Sequence, residues 1–114
     1  MGFVDIYVGD KKVAEKVKNC SRFYQKVLGL MFVSSPKGGA FLPGVKDIHM
    51  NFVRFPLKII WLDKDMIVLR VVRAKPWGLY NGPEGARNVI DLPVDNQFNF
   101  QEGMQISIKK YERI

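Results

Sequence analysis

One cysteine, one histidine and no long apolar run: each scarcity in this chain closes off a class of protein. With Cys20 alone no intramolecular disulfide can form, which fits a reducing compartment. The sequon Asn19-Cys20-Ser21 then reads as chance. Cys20 and His49 together cannot supply the N and S ligands a protein-held zinc ion needs. A Cys-His dyad would have to join Cys20 to His49, and a small buried Cys20 is the more ordinary reading. The longest apolar stretches, Leu57–Leu62 and Met66–Val72, are broken by Lys58 and Arg70. Both fall far short of the roughly 20 residues a membrane-spanning helix requires. The start, Met1 to Asp5, has neither the basic nor the apolar region of a signal peptide. The expectation is a cytoplasmic domain with no membrane partner, no metal and no other cofactor.

What is present bounds the answer from the other side. A chain of 114 residues fits one domain, spanning 1–114. Its 47% hydrophobic content, with eight Phe, suffices for a core without staples. The net charge of +7 and pI near 9.7 favour an anionic partner. Lys and Arg outnumber acids up to Leu79, and the tail beyond it is near balance. No block of like charge stands out, so an ordinary Lys-rich solvated surface is the competing account.

Period-two alternation predicts a strand over Phe3–Val8, a turn at Gly9-Asp10 and a second strand over Lys12–Val17. Asn19 or Ser21 can cap a short helix whose Phe23, Tyr24, Val27 and Leu28 share one face and which Gly29 ends. Ser34 to Gly44 reads as loop, interrupted by Ala40-Phe41-Leu42. Leu57–Leu62 and Met66–Val72 flank Asp63-Lys64-Asp65 as the clearest hairpin, apolar on both faces and therefore expected to be central or covered by the helix. Pro76 to Gly85 is irregular, and Asn88–Leu92 and Met104–Ile108 close the chain. The expected fold is mainly β (α+β): a small antiparallel sheet curled into a partly closed barrel, with one short helix near the N-terminus.

Gly29-Leu30-Met31-Phe32 is followed by Gly39-Ala40-Phe41-Leu42, by the run from His49 through Phe55-Pro56-Leu57 to Asp63, by Val89-Ile90-Asp91-Leu92 and by Gly103. In this order the landmarks resemble the family catalogued as domain of unknown function 192, small proteins of archaea and bacteria. The resemblance runs from about Lys12 to Ile108 and implies a small β-rich domain without assigning it a reaction. The family pattern carries Lys-Asn-Thr where this chain has Asn51-Phe52-Val53, and Asp where it has Lys58. The apolar frame is kept while those polar groups are replaced.

Among constellations that could carry chemistry, Asp63 and Asp65 sit in the predicted turn, where Asp favours backbone hydrogen bonds over paired-carboxyl catalysis. Lys37-Gly38-Gly39 has neither Walker nor Rossmann spacing. The informative cluster is basic and aromatic: Arg70, Arg73, Lys75, Trp77 and Tyr80, joined by Arg54, Phe55 and Lys58. Cations track phosphates or carboxylates while rings stack on flat ligands. The same rings also suit folding the Pro-Trp-Gly loop onto the core, the more ordinary use.

The leading expectation is a non-catalytic binding domain for a small anionic ligand or anionic peptide, with Arg54, Lys58, Arg73, Lys75, Trp77 and Tyr80 as candidate ligand contacts. The alternative is a sequence-tolerant nucleic-acid binder that adds Lys11, Lys12, Lys16 and Lys18 of the first hairpin. A third is an enzyme of unrecognised type using Arg87, Asn88 or Asp91.

Overall fold

A computed structural model describes residues 2–19, 39–49, 56–75 and 78–111. Nine strands lie among them: β1 (Phe3–Val8), β2 (Lys11–Asn19), β3 (Ala40–Pro43), β4 (Ile48–His49), β5 (Leu57–Leu62), β6 (Val68–Ala74), β7 (Leu79–Tyr80), β8 (Asn88–Pro93) and β9 (Ser107–Lys110). Seven form one sheet in the order β6-β5-β8-β3-β2-β1-β9, and β4 pairs with β7 in a separate ribbon. Every pairing is antiparallel except β2 with β3.

The mainly β expectation holds, and two parts of it need correction. The sheet is not closed into a barrel: it has two edges, β6 and β9. An isolated Ile67–Gln105 bridge ties the chain before β9 to the start of β6, without a strand ladder between those edges. No helix occurs among the described residues, and the one expected over 21–28 lies outside them. Asn19, considered as a helix cap, is instead the last residue of β2, paired with Phe41.

The interior strands β5 and β8 are buried on both faces, which is why each reads as a nearly continuous apolar run. Alternate residues feed two cores. On one face Ile60, Leu62, Ile90 and Leu92 pack with Val4, Ile6, Val17, Phe100 and Ile106. On the other Leu57, Ile59, Trp61 and Val89 pack with Ala40, Leu42 and Ala86. Each fully buried aliphatic contributes about 1.5–3 kcal/mol. Trp61 also satisfies its indole, donating from Nε1 to the Lys46 carbonyl at 2.6 Å.

The β5–β6 hairpin is correctly read, but only β5 is central, because β8 takes its other side and leaves β6 at the edge. Exposed Arg70 and Arg73 on β6, and Lys109 and Lys110 on β9, discourage pairing with a foreign strand. The turn follows the Asx logic: Asp63 Oδ1 accepts the N–H of Asp65 at 2.8 Å and of Ile67 at 3.0 Å.

Candidate anion-binding face

β1 alternates, so Val4 and Ile6 enter the first core while Phe3, Asp5 and Tyr7 point to the opposite face. Its two neighbours bring cations to that face. Lys12 stands opposite Tyr7 and Lys18 opposite Phe3 on β2, and Lys109 stands opposite Asp5 on β9. β2 carries two register shifts. Between Val4 and Ile6 the single residue Asp5 opposes both Glu15 and Lys16, and Val13 is the extra residue between Lys12 and Ala14. One extra residue flips the side-chain phase and the second restores it, so Lys12, Lys16 and Lys18 return to the outer side.

The bulge puts Lys16 at φ 54°, a backbone region that costs a side-chain-bearing residue energy. Asp5 offsets that cost: its Oδ1 accepts the Lys16 N–H at 3.0 Å. Its Oδ2 meets the Lys12 ammonium at 3.5 Å. Desolvation alone would lower the Lys12 pKa, but the Asp5 charge, with Tyr7 and Glu15, outweighs it and raises the amine above its ordinary value. Asp5 is thus a buried carboxylate beneath an exposed basic layer.

That layer interleaves cations with rings. Lys109 Nζ lies 4.6 Å and Lys12 Nζ 6.0 Å from the Tyr7 centroid. Lys16 Nζ lies 5.5 Å from the centroid of Phe3, one of the exposed large hydrophobics. At such exposed sites a cation–π contact contributes roughly 0.5–1 kcal/mol, so the amines are guided but readily displaced. Lys11 belongs elsewhere: its ammonium sits 5.4 Å from the Phe98 ring.

Four of the six residues singled out near the Pro-Trp-Gly loop, Lys58, Arg73, Lys75 and Tyr80, lie among the described residues. Lys58 and Arg73 are cross-strand partners. Lys58 turns inward, donating to the carbonyls of Asn96 at 2.7 Å and Phe98 at 2.9 Å with its ammonium 5.5 Å from the Phe100 ring. Burial lowers its pKa. Arg73 and Lys75 are exposed. Tyr80 packs against the second core, and its hydroxyl accepts the Lys75 N–H at 2.7 Å, closing the loop. Arg54 and Trp77 lie outside the described residues. Of the third set, Arg87 is exposed, and Asn88 is engaged with Gly44 N at 3.1 Å and the Asp63 carbonyl at 3.2 Å.

Asp91 is the unusual member. Its cross-strand neighbours are Ala40 and Ile59, both fully buried. Its Oδ1 has no hydrogen-bond partner among the described residues, and burial pushes the carboxyl up to about 7. Gly39 packs so closely on this strand that a Cβ there would collide with the Asp91 main-chain oxygen.

Sequence reasoning named the lysines of β2 but missed Phe3, Asp5, Tyr7 and Lys109. The alternation of β1 already set Phe3, Asp5 and Tyr7 on one side. The arrival of β9 beside them had no local signal.

Comparison with known proteins places the chain. The model of the DUF192 family, described as "Uncharacterized ACR", matches residues 6–108. A UPF0127 protein of Thermococcus kodakarensis is 33% identical over 85 residues, covering 69% of this chain and 54% of that protein. The chain therefore spans about half the length of such relatives. Two solved structures share the fold. One is a protein of unknown function from Novosphingobium aromaticivorans, with TM-score 0.75 and 16% identity over 92% of this chain and 83% of the other. The second, from Sinorhizobium meliloti, is described as a "putative transcription regulator", with TM-score 0.77 and 15% identity over 94% of this chain and 95% of the other. With the family model covering most of its length, the chain belongs to the DUF192 family.

Proposed function

We propose that this domain is a binding module for anionic ligands and that its contact surface is the outer face of β2, β1 and β9. The observation that carries the reading is the layer of Lys12, Lys16 and Lys109 around Phe3 and Tyr7, with Asp5 beneath it holding the Lys12 ammonium and the Lys16 N–H. A solvated lysine surface has no need of a buried carboxylate that shapes a bulge and holds an ammonium at defined positions. Arg73 and Lys75, exposed on the far side of the sheet, are a second place for anion contacts. Lys58 contributes less there, because two carbonyls already occupy its ammonium.

The test is a salt series with inorganic polyphosphate, following binding calorimetrically. Affinity should fall steeply with salt, and the Lys12→Gln/Lys16→Gln/Lys109→Gln variant should lose most of it. Equal binding by the triple variant would move the site to Arg73 and Lys75. No binding at low salt would end the reading.

A further inference from the structure

Resting on the reading just given, we infer that the anionic ligand of the β2–β1–β9 face is a single-stranded nucleic acid, its phosphates taken by the lysines and its bases by Tyr7 and Phe3.

Spacing supports an extended ligand. Phe3 and Tyr7 are four residues apart on one face of one strand, which at roughly 3.4 Å per residue sets the rings about 14 Å apart. That span is too wide for one flat molecule to be held between them. Each ring must take a different unit of a chain. Every such unit needs an anion as well, because every ring has an amine at its side: Lys109 and Lys12 at Tyr7, Lys16 at Phe3. A repeating unit with one negative charge and one flat ring is a nucleotide. An acidic peptide would satisfy the amines and leave the rings without partners.

The arrangement also works as a mechanism. In the free protein the ammonium groups rest over the rings. A phosphate draws each ammonium aside, and the freed ring face accepts a base. The face is an open sheet surface, which admits a strand without its complement and stacks any base, so sequence tolerance follows. Asp5, lying between the two rings and below the lysines, carries the opposite charge and keeps phosphates to the flanks over Lys12, Lys16 and Lys109.

The experiment compares a labelled oligothymidylate with an abasic phosphodiester chain of equal length, by fluorescence anisotropy at low and near-physiological salt. The two carry the same charge and differ only in bases. Oligothymidylate should bind at least fivefold more tightly per stacked base. Phe3→Leu/Tyr7→Leu, which keeps apolar bulk in place of the rings, should erase that advantage. A circular dichroism melt matching the parent shows that the variant is folded, and Tyr7→Phe should retain the advantage. Equal affinity for the two chains would overturn the inference and leave anion binding intact. Failure to bind either chain would remove both. Tighter binding to anionic phospholipid vesicles than to either chain would also overturn it, in favour of a membrane surface.

Discussion

The two halves of the sheet bury the same kind of charge in opposite ways. In the β1–β2 half Asp5 is 6% exposed, and its carboxylate receives a backbone N–H and an ammonium. In the β3–β8–β5 half Asp91 is 2% exposed, between Ala40 and Ile59, with an oxygen that no donor among the described residues reaches. The first arrangement pairs its carboxylate and organises a surface. The second is a carboxyl that burial drives toward its neutral form. A buried aspartate therefore has meaning only through its partners. Here the partnered one lies under the exposed basic face, and the unpartnered one lies where both faces of the sheet are apolar.

The largest expected effect tests this contrast directly. The folded-state pKa of Asp91, about 7, lies above the reference value of 3.8. Between those values the folded protein holds a proton that the unfolded chain has released. Its stabilising contribution is complete below about pH 4, declines as pH rises toward 7, and is gone above that. At 1.36 kcal/mol per unit the swing is at most about 4 kcal/mol. Urea unfolding of the parent and of Asp91→Asn across pH 4–8 isolates it, since the variant should lack this slope. Parallel curves for the two proteins would show that Asp91 is solvated or paired.

Next in size is the apolar frame. Ile90 is fully buried in the first core, on a strand whose neighbours β3 and β5 are both interior. Ile90→Ala should cost about 3 kcal/mol by lost transfer energy and residual cavity. Tyr7→Leu, on the open face, should stay within about 1 kcal/mol of the parent. Similar losses at the two positions, read from denaturant midpoints, would erase the distinction between a closed half and an open one.

How far this architecture is legible in the sequence follows from which interactions are local. β1 and the β5–β6 turn are readable because alternation and Asp63 act within a few residues. β6 begins at Val68 rather than Met66, since Met66 adopts φ 65° where Asp63 caps the turn. The sheet order is not readable. Nothing within Val68–Ala74 says that β8 will take the other side of β5, nor within Asn19 that its segment will run parallel to β3. The candidate face behaves likewise. Its lysines are visible as composition, whereas its coherence depends on two cancelling register shifts in β2 and on a strand from the far end of the chain. The neutralising burial of Asp91 comes from strands on both sides and has no trace in Val-Ile-Asp-Leu itself.

A smaller effect is expected when Asp5 is cut away. Asp5→Ala removes the acceptor of the Lys16 N–H and leaves a left-handed backbone without its compensation. The loss should be about 2 kcal/mol, the range for hydrogen bonds to charged groups. Lys16→Gly in the same background should recover part of it, because glycine adopts φ 54° without strain. If the glycine recovers nothing, the bulge is not where Asp5 acts.

The smallest effect on stability should come with the clearest change in binding. Lys12, Lys16 and Lys109 are exposed, and their contacts with rings and with Asp5 are of the kind that contribute little to folding. Replacing each with Gln should leave the denaturation midpoint almost unmoved. Each replacement that removes a phosphate contact should flatten the log–log dependence of affinity on salt by about 0.7 for a single strand. Lys11→Gln, whose ammonium lies against Phe98 instead, should leave that slope unchanged. The pair Lys11 and Lys12 makes the comparison sharp, because the two are adjacent and of the same sign, while only Lys12 meets Tyr7 and Asp5 and Lys11 meets Phe98. If both change the slope equally, long-range charge alone governs binding and the layer around Tyr7 has no special role. If only Lys12 does, the face built over Asp5 is the contact surface.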